Sequence, residues 1–140
     1  MQNVKKETAL QMWEMNLMSK VKVQIWDRDF ELSVSYQNFP GEETTENQWR
    51  TLSAVPSVDY STAKAGVEEY IRKFFSAELG DDNLDNIFRF VMPKSVLIPK
   101  VEGVRVFAIM CNFKLDIEHG IAIIFENEKF KAAGPQDLIL

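Results

Sequence analysis

The last third of the chain constrains the fold most. Between Pro93 and Leu140 short apolar runs alternate with the strongest turn signals in the sequence. The runs are Val96-Leu97-Ile98, Val104 to Met110, and Ile121 to Phe125, bounded by Pro99, Gly103, Gly120 and Gly134-Pro135. They are rich in β-branched and aromatic residues, which predicts strands of one largely buried sheet on which the rest of the chain must pack. Asn127-Glu128, ahead of Lys129-Phe130-Lys131, predicts a tight hairpin. The apolar end Leu138-Ile139-Leu140 is expected to tuck against the body.

Upstream, Val21, Val23 and Ile25 alternate with Lys22 and Gln24, and Phe30, Leu32, Val34 and Tyr36 alternate with Glu31, Ser33 and Ser35. With Asp27-Arg28-Asp29 as the turn, this reads as an antiparallel hairpin with one wet and one apolar face. From Ala9 to Leu17 helical and alternating spacings coexist, so period alone leaves helix and strand open. Thr45 followed by Gln48 is a capping-box signature and predicts a short helix from Glu46 to about Ala54, with Trp49 and Leu52 on its apolar side and Pro56 as its stop. A longer helix is expected from about Tyr60 to Leu79, burying a stripe of Ala63, Val67, Tyr70, Ile71, Phe74 and Phe75, with Gly80 at its end. Asp81 or Asp82 is placed to cap a further turn or two of helix through Ile87 and Phe88. Pro93 ends the helical region. The expectation is one α+β domain over residues 1–140, with 1–8 disordered: an antiparallel sheet of hairpins with a central helical insertion, in the order β-β-β-α-α-β-β-β-β.

Sixteen basic against twenty-one acidic residues give a net charge of −5, which speaks against binding nucleic acid through phosphates and suits a basic protein partner. Cys111 is the single cysteine, so no disulfide can form within the chain, and a cytoplasmic setting is expected. Glu7, Gln11 and Glu14 break any signal-peptide core. No apolar run approaches the roughly 20 residues of a membrane span, so no membrane partner is expected.

Catalytic patterns fare poorly. Cys111 and His119 are the one thiol and imidazole available as a pair, yet Cys111 continues an apolar strand run and reads as a small buried residue. His119, between Glu118 and Gly120, reads as a turn residue with local hydrogen bonds. Asp81, Asn83 and Asp85 match the first positions of a calcium loop, but Asn86 stands where Gly is needed and Met92 where a bidentate Glu is needed. Neither a metal nor a cofactor is implied, and no enzymatic activity is expected. The acidic runs at 42–46 and 78–85 remain the most function-like surface features. Glu42, Glu43, Glu46, Trp49, Asp81, Asp82 and Asp85 are the candidate partner-binding residues.

Three segments carry a resemblance: Pro93-Lys94-Ser95-Val96-Leu97-Ile98-Pro99, Glu118-His119-Gly120 through Phe130, and Gly134-Pro135-Gln136-Asp137. Together they resemble the C-terminal signature of an uncharacterised bacterial domain family, of the kind found among immunity proteins of contact-dependent or polymorphic toxin systems. The likeness implies a strand before the first hairpin, at 9–17. It also implies an immunity protein, monomeric or weakly dimeric, that binds a cognate toxin and blocks it. The rival expectation is a ligand-binding or enzymatic domain using the Glu118–Gly120 and Gly134–Asp137 turns as the lip of a pocket with His119 pointing into it.

Overall fold

The computed structural model describes residues 20–38 and 40–140; the segments 1–8 and 9–17, on which disorder and a first strand were expected, lie outside them. The described chain is α+β. Six strands lie side by side in sequence order: β1 (Lys20–Ile25), β2 (Arg28–Gln37), β3 (Val91–Pro99), β4 (Val106–Phe113), β5 (Ile121–Glu126) and β6 (Lys129–Gly134). Between β2 and β3 come α1 (Glu46–Ala54), α2 (Ser61–Phe74) and the single turn α3 (Ser76–Leu79). The expected central helical insertion is therefore present.

One junction departs from the expected antiparallel order: β2 and β3 run parallel, with Val34 beside Val96 and Tyr36 beside Ile98. The cause is the insertion itself, since helices between two neighbouring strands form a crossover that returns the chain to its starting end. The first hairpin is tighter than expected. Its loop is Trp26-Asp27, both at positive φ, while Arg28 already pairs with Ile25 in the ladder. This is the two-residue loop whose twist matches that of the strands. The Trp26 indole N–H anchors it by donating to the Tyr60 carbonyl at 2.9 Å.

The capping box at α1 is complete: the Thr45 side chain accepts from the Gln48 N–H, and the Gln48 side chain accepts from the Thr45 N–H. The long second helix breaks at Phe75, whose backbone leaves the helical region as its ring packs edge-on against Phe113 at 5.0 Å. Of its predicted stripe, Ala63, Val67 and Ile71 are fully buried, but Phe74 is 61% exposed because the break turns it outward. Gly80 closes α3 at φ +64 as expected. Asp82 caps no helix; its carboxylate accepts from the Leu84 N–H at 2.8 Å in a turn, and a short 3-10 turn, Ile87–Arg89, follows. The strand region starts at Val91, ahead of Pro93, which sits where the β3–β4 register slips.

The main core fills the space between the helices and one sheet face, with Phe107, Ile109, Cys111, Phe113, Ile121, Ile123 and Phe125 against Val67 and Ile71. Each large side chain fully buried there contributes roughly 2 kcal/mol. α2 crosses closest over β6, where Gly66 leaves room for the Phe130 ring. The opposite face carries a narrower apolar strip of Leu97, Ala108, Met110, Ala122 and Ile124. Of the C-terminal residues only Ile139 packs on it; Leu138 and Leu140 stay exposed, contrary to the expected tuck.

Candidate functional site

The turn that enters β5 and the turn that leaves β6 meet. The Gln136 N–H donates to the His119 carbonyl at 3.0 Å, and the Gln136 side-chain amide donates to the Cys111 carbonyl at 3.1 Å. Gly120 sits beneath them at φ +61, and a Cβ there would lie 2.6 Å from Gln136 Nε2 and 2.8 Å from the Cys111 carbonyl oxygen. Glycine is thus required twice, by backbone angle and by space. The two turns converge as the pocket reading expected, but the Gln136 amide fills the join.

His119 stands at the outside of this corner. Its Nδ1 is 3.1 Å from both Asp116 carboxylate oxygens, and its N–H also donates to that carboxylate. The hydrogen bond and then the charge of Asp116 hold the imidazole pKa above its ordinary value. Cys111 lies fully buried in β4, where burial pushes its thiol pKa up, the reverse of an activated nucleophile. The thiol belongs to the core and the imidazole to the surface.

The candidate acidic residues fall into two groups. At the N-terminus of α1, Glu42 pairs with Lys100 at 2.7 Å and Glu46 with Arg50 at 2.9 Å, while Glu43 is exposed beside them. Trp49 is half-buried, and its indole nitrogen is buried without a hydrogen-bond partner among the described residues. At 81–85, Asp82 faces Arg89 at 3.3 Å, Asp85 accepts from Asn83 at 2.9 Å, and Asp81 is exposed. Among the described residues no three such side chains gather to hold a metal ion. α1 is tied to the C-terminal end of β3, through Gln48 to the Ile98 carbonyl and Asn47 to those of Val101 and Val104. The 81–85 turn instead leads into the start of β3. A strand of this length separates them by roughly 30 Å, so they do not make one patch.

Sequence reasoning missed the surface beside the first hairpin turn. There Phe88 packs on Trp26 and Phe30, with ring centroids 5.7 and 5.5 Å away, and the Arg28 guanidinium lies 5.2 Å from the Phe88 centroid and 5.6 Å from that of Phe30. Phe88 also lines a cavity of about 310 Å³ with Phe90, Met92, Phe113 and Ile117, joined by Arg89 and Lys114. The signal lay in Phe88-Arg89-Phe90, aromatic and basic residues interleaved ahead of a strand. A larger hollow of about 560 Å³ lies along the β1–β2 hairpin by Val23, Phe30 and Pro56.

The family described as Domain of unknown function (DUF6985) matches residues 2–140. The chain belongs to this family. No curated protein and no solved structure matches it. In this DUF6985 chain, Gly120, Gln136 and His119 have structural roles at the corner, and no described helix is long and apolar enough to cross a membrane.

Proposed function

We propose that the chain is a non-enzymatic, cytoplasmic binding protein of the immunity type, which neutralises a cognate basic toxin domain by covering its active site. The observation that carries this reading is the group of exposed acids around the N-terminus of α1, Glu42, Glu43 and Glu46, with Glu42 on Lys100 and Glu46 on Arg50, on a chain of net charge −5. Such a field speeds encounter with a basic partner and sets its register. Trp49 adds a half-buried aromatic side chain beside these acids. The resemblance to domains of contact-dependent toxin systems points the same way. Asp81, Asp82 and Asp85 would serve a partner docked at the other end.

Calorimetric titration with the toxin domains encoded beside this chain tests the proposal. The expected result is a sub-micromolar complex, weakened about tenfold or more when Glu42, Glu43 and Glu46 are all changed to Lys. No binding tighter than micromolar overturns it.

The second reading, a small-ligand or enzymatic domain, draws on the contact between the Glu118–Gly120 and Gly134–Asp137 turns. It requires His119 to matter. An unchanged activity profile in His119→Ala removes it.

A further inference from the structure

The cavity between the 3-10 turn before β3 and the end of β4 differs in character from the rest of the surface. Phe88, Phe90, Met92, Phe113 and Ile117 give it apolar walls, and Arg89, Asn112 and Lys114 its polar edge. Ile117 is 86% exposed, although a side chain of that size gains by burial. The charge at this place is opposite to that of the chain. Among the described residues neither Lys114 nor Arg28 has an ion pair, and the Arg28 guanidinium lies against the Phe30 and Phe88 rings. Arg89 meets Asp82 at 3.3 Å with most of its side chain exposed. Asp116, next to Ile117, is engaged by His119.

We infer that this groove is a docking site for an acidic, apolar-anchored segment of a partner protein: a Leu or Phe side chain in the hollow, with flanking carboxylates on Lys114 and on Arg28 or Arg89. The volume, about 310 Å³, is at the low end for ligand pockets and suits one or two side chains. Charge complementarity selects the acidic segment: Arg89 and Lys114 line the hollow and Arg28 lies against Phe88, while the two nearby carboxylates, Asp82 and Asp116, are already engaged by Arg89 and His119. An anionic bilayer meets the same cations, but its broad headgroup face leaves a hollow sized for one or two side chains unfilled, whereas a short segment enters it. The inference goes beyond the immunity reading and needs no toxin, so the two fail separately.

The test uses the isotope-labelled full chain, followed by NMR during titration with two short peptides, Glu-Leu-Phe-Glu and Gln-Leu-Phe-Gln, both blocked at their ends. The acidic peptide is expected to shift amides of Phe88 to Met92 and Asn112 to Ile117 at sub-millimolar to millimolar concentration. The amide peptide should bind several-fold more weakly, because it lacks the charge-assisted contacts. Lys114→Glu and Arg28→Glu, both at exposed positions where folding is retained, should each weaken the acidic peptide about tenfold. Equal affinity for both peptides, shifts scattered elsewhere, or no binding at millimolar concentration each overturn the inference. So does binding to vesicles of equal parts phosphatidylcholine and phosphatidylserine without binding to peptide, or self-association that buries the groove.

Discussion

The two ends of the sheet are closed by different means. At the end where β3 finishes and β4 begins, polar side chains make the closure. Arg105 grips Glu128 with two hydrogen bonds of 2.6 and 2.9 Å, Lys100 meets Glu42, Lys131 meets Glu126, and Asn47 bridges two carbonyls of the β3–β4 loop. Positive-φ residues occur at both ends, but at the other end one of them, Gly120, is also pressed under Gln136 and against the Cys111 carbonyl, whereas Gly41 and Gly103 at the first end have open space around them. This second end also leaves Phe74 and Ile117 exposed, and Lys114 without an ion pair among the described residues. Charge at the first end is largely paired within the chain, whereas at the second end apolar surface stays exposed beside Arg89 and Lys114.

The comparison breaks first at the corner. Gly120→Ala should destabilise the fold by roughly 3 kcal/mol in urea denaturation, combining left-handed strain with a contact against fixed backbone. A loss below about 1 kcal/mol would show that the corner yields and that fit does not hold this end. At the charged end, Arg105→Ala should lose much less than Gly120→Ala, a loss that shrinks further with added salt, because both partners are partly exposed. A loss as large as that of Gly120→Ala would erase the contrast.

Smaller still, Ile117→Ser and Phe74→Ser should each change stability by no more than about 0.5 kcal/mol, since neither side chain is part of the core. A larger loss would mean that folding itself uses them. The smallest effect concerns His119, followed by its ring-proton resonances against pH: its pKa should lie above the ordinary imidazole value and fall back in Asp116→Asn. The sign follows from a pKa raised on folding. The pair's contribution is fully present below the unfolded imidazole pKa and is lost as pH rises through the folded one.

Local chemistry was legible in the sequence where it is self-contained. Thr45 and Gln48 announce their capping box, and Asn127-Glu128 its two-residue turn, because each is settled within a few residues. The parallel β2–β3 junction was not, since alternation of apolar residues carries no strand direction. Phe75 ends α2 through a ring contact with Phe113, a residue far along the chain that no helical periodicity contains. The ion pairs of the acidic runs were equally hidden, since Glu42 meets Lys100 and Asp82 meets Arg89 only through the fold. The groove shared by Phe88 and Ile117 exists because Val91 pairs with Phe113, a register that no local pattern announces.

The parallel junction also orders events in time. Strands β3 to β6 each pair with their neighbour in sequence, so their loops close over short distances. β2 must wait for the whole helical insertion to bring it back beside β3, at a higher loop-closure entropy. The first hairpin is therefore the last piece to join and the first to leave. Native-state hydrogen exchange should find the β1 and β2 amides opening at lower free energy than those of β4 and β5; equal protection would mean that the sheet opens as one unit.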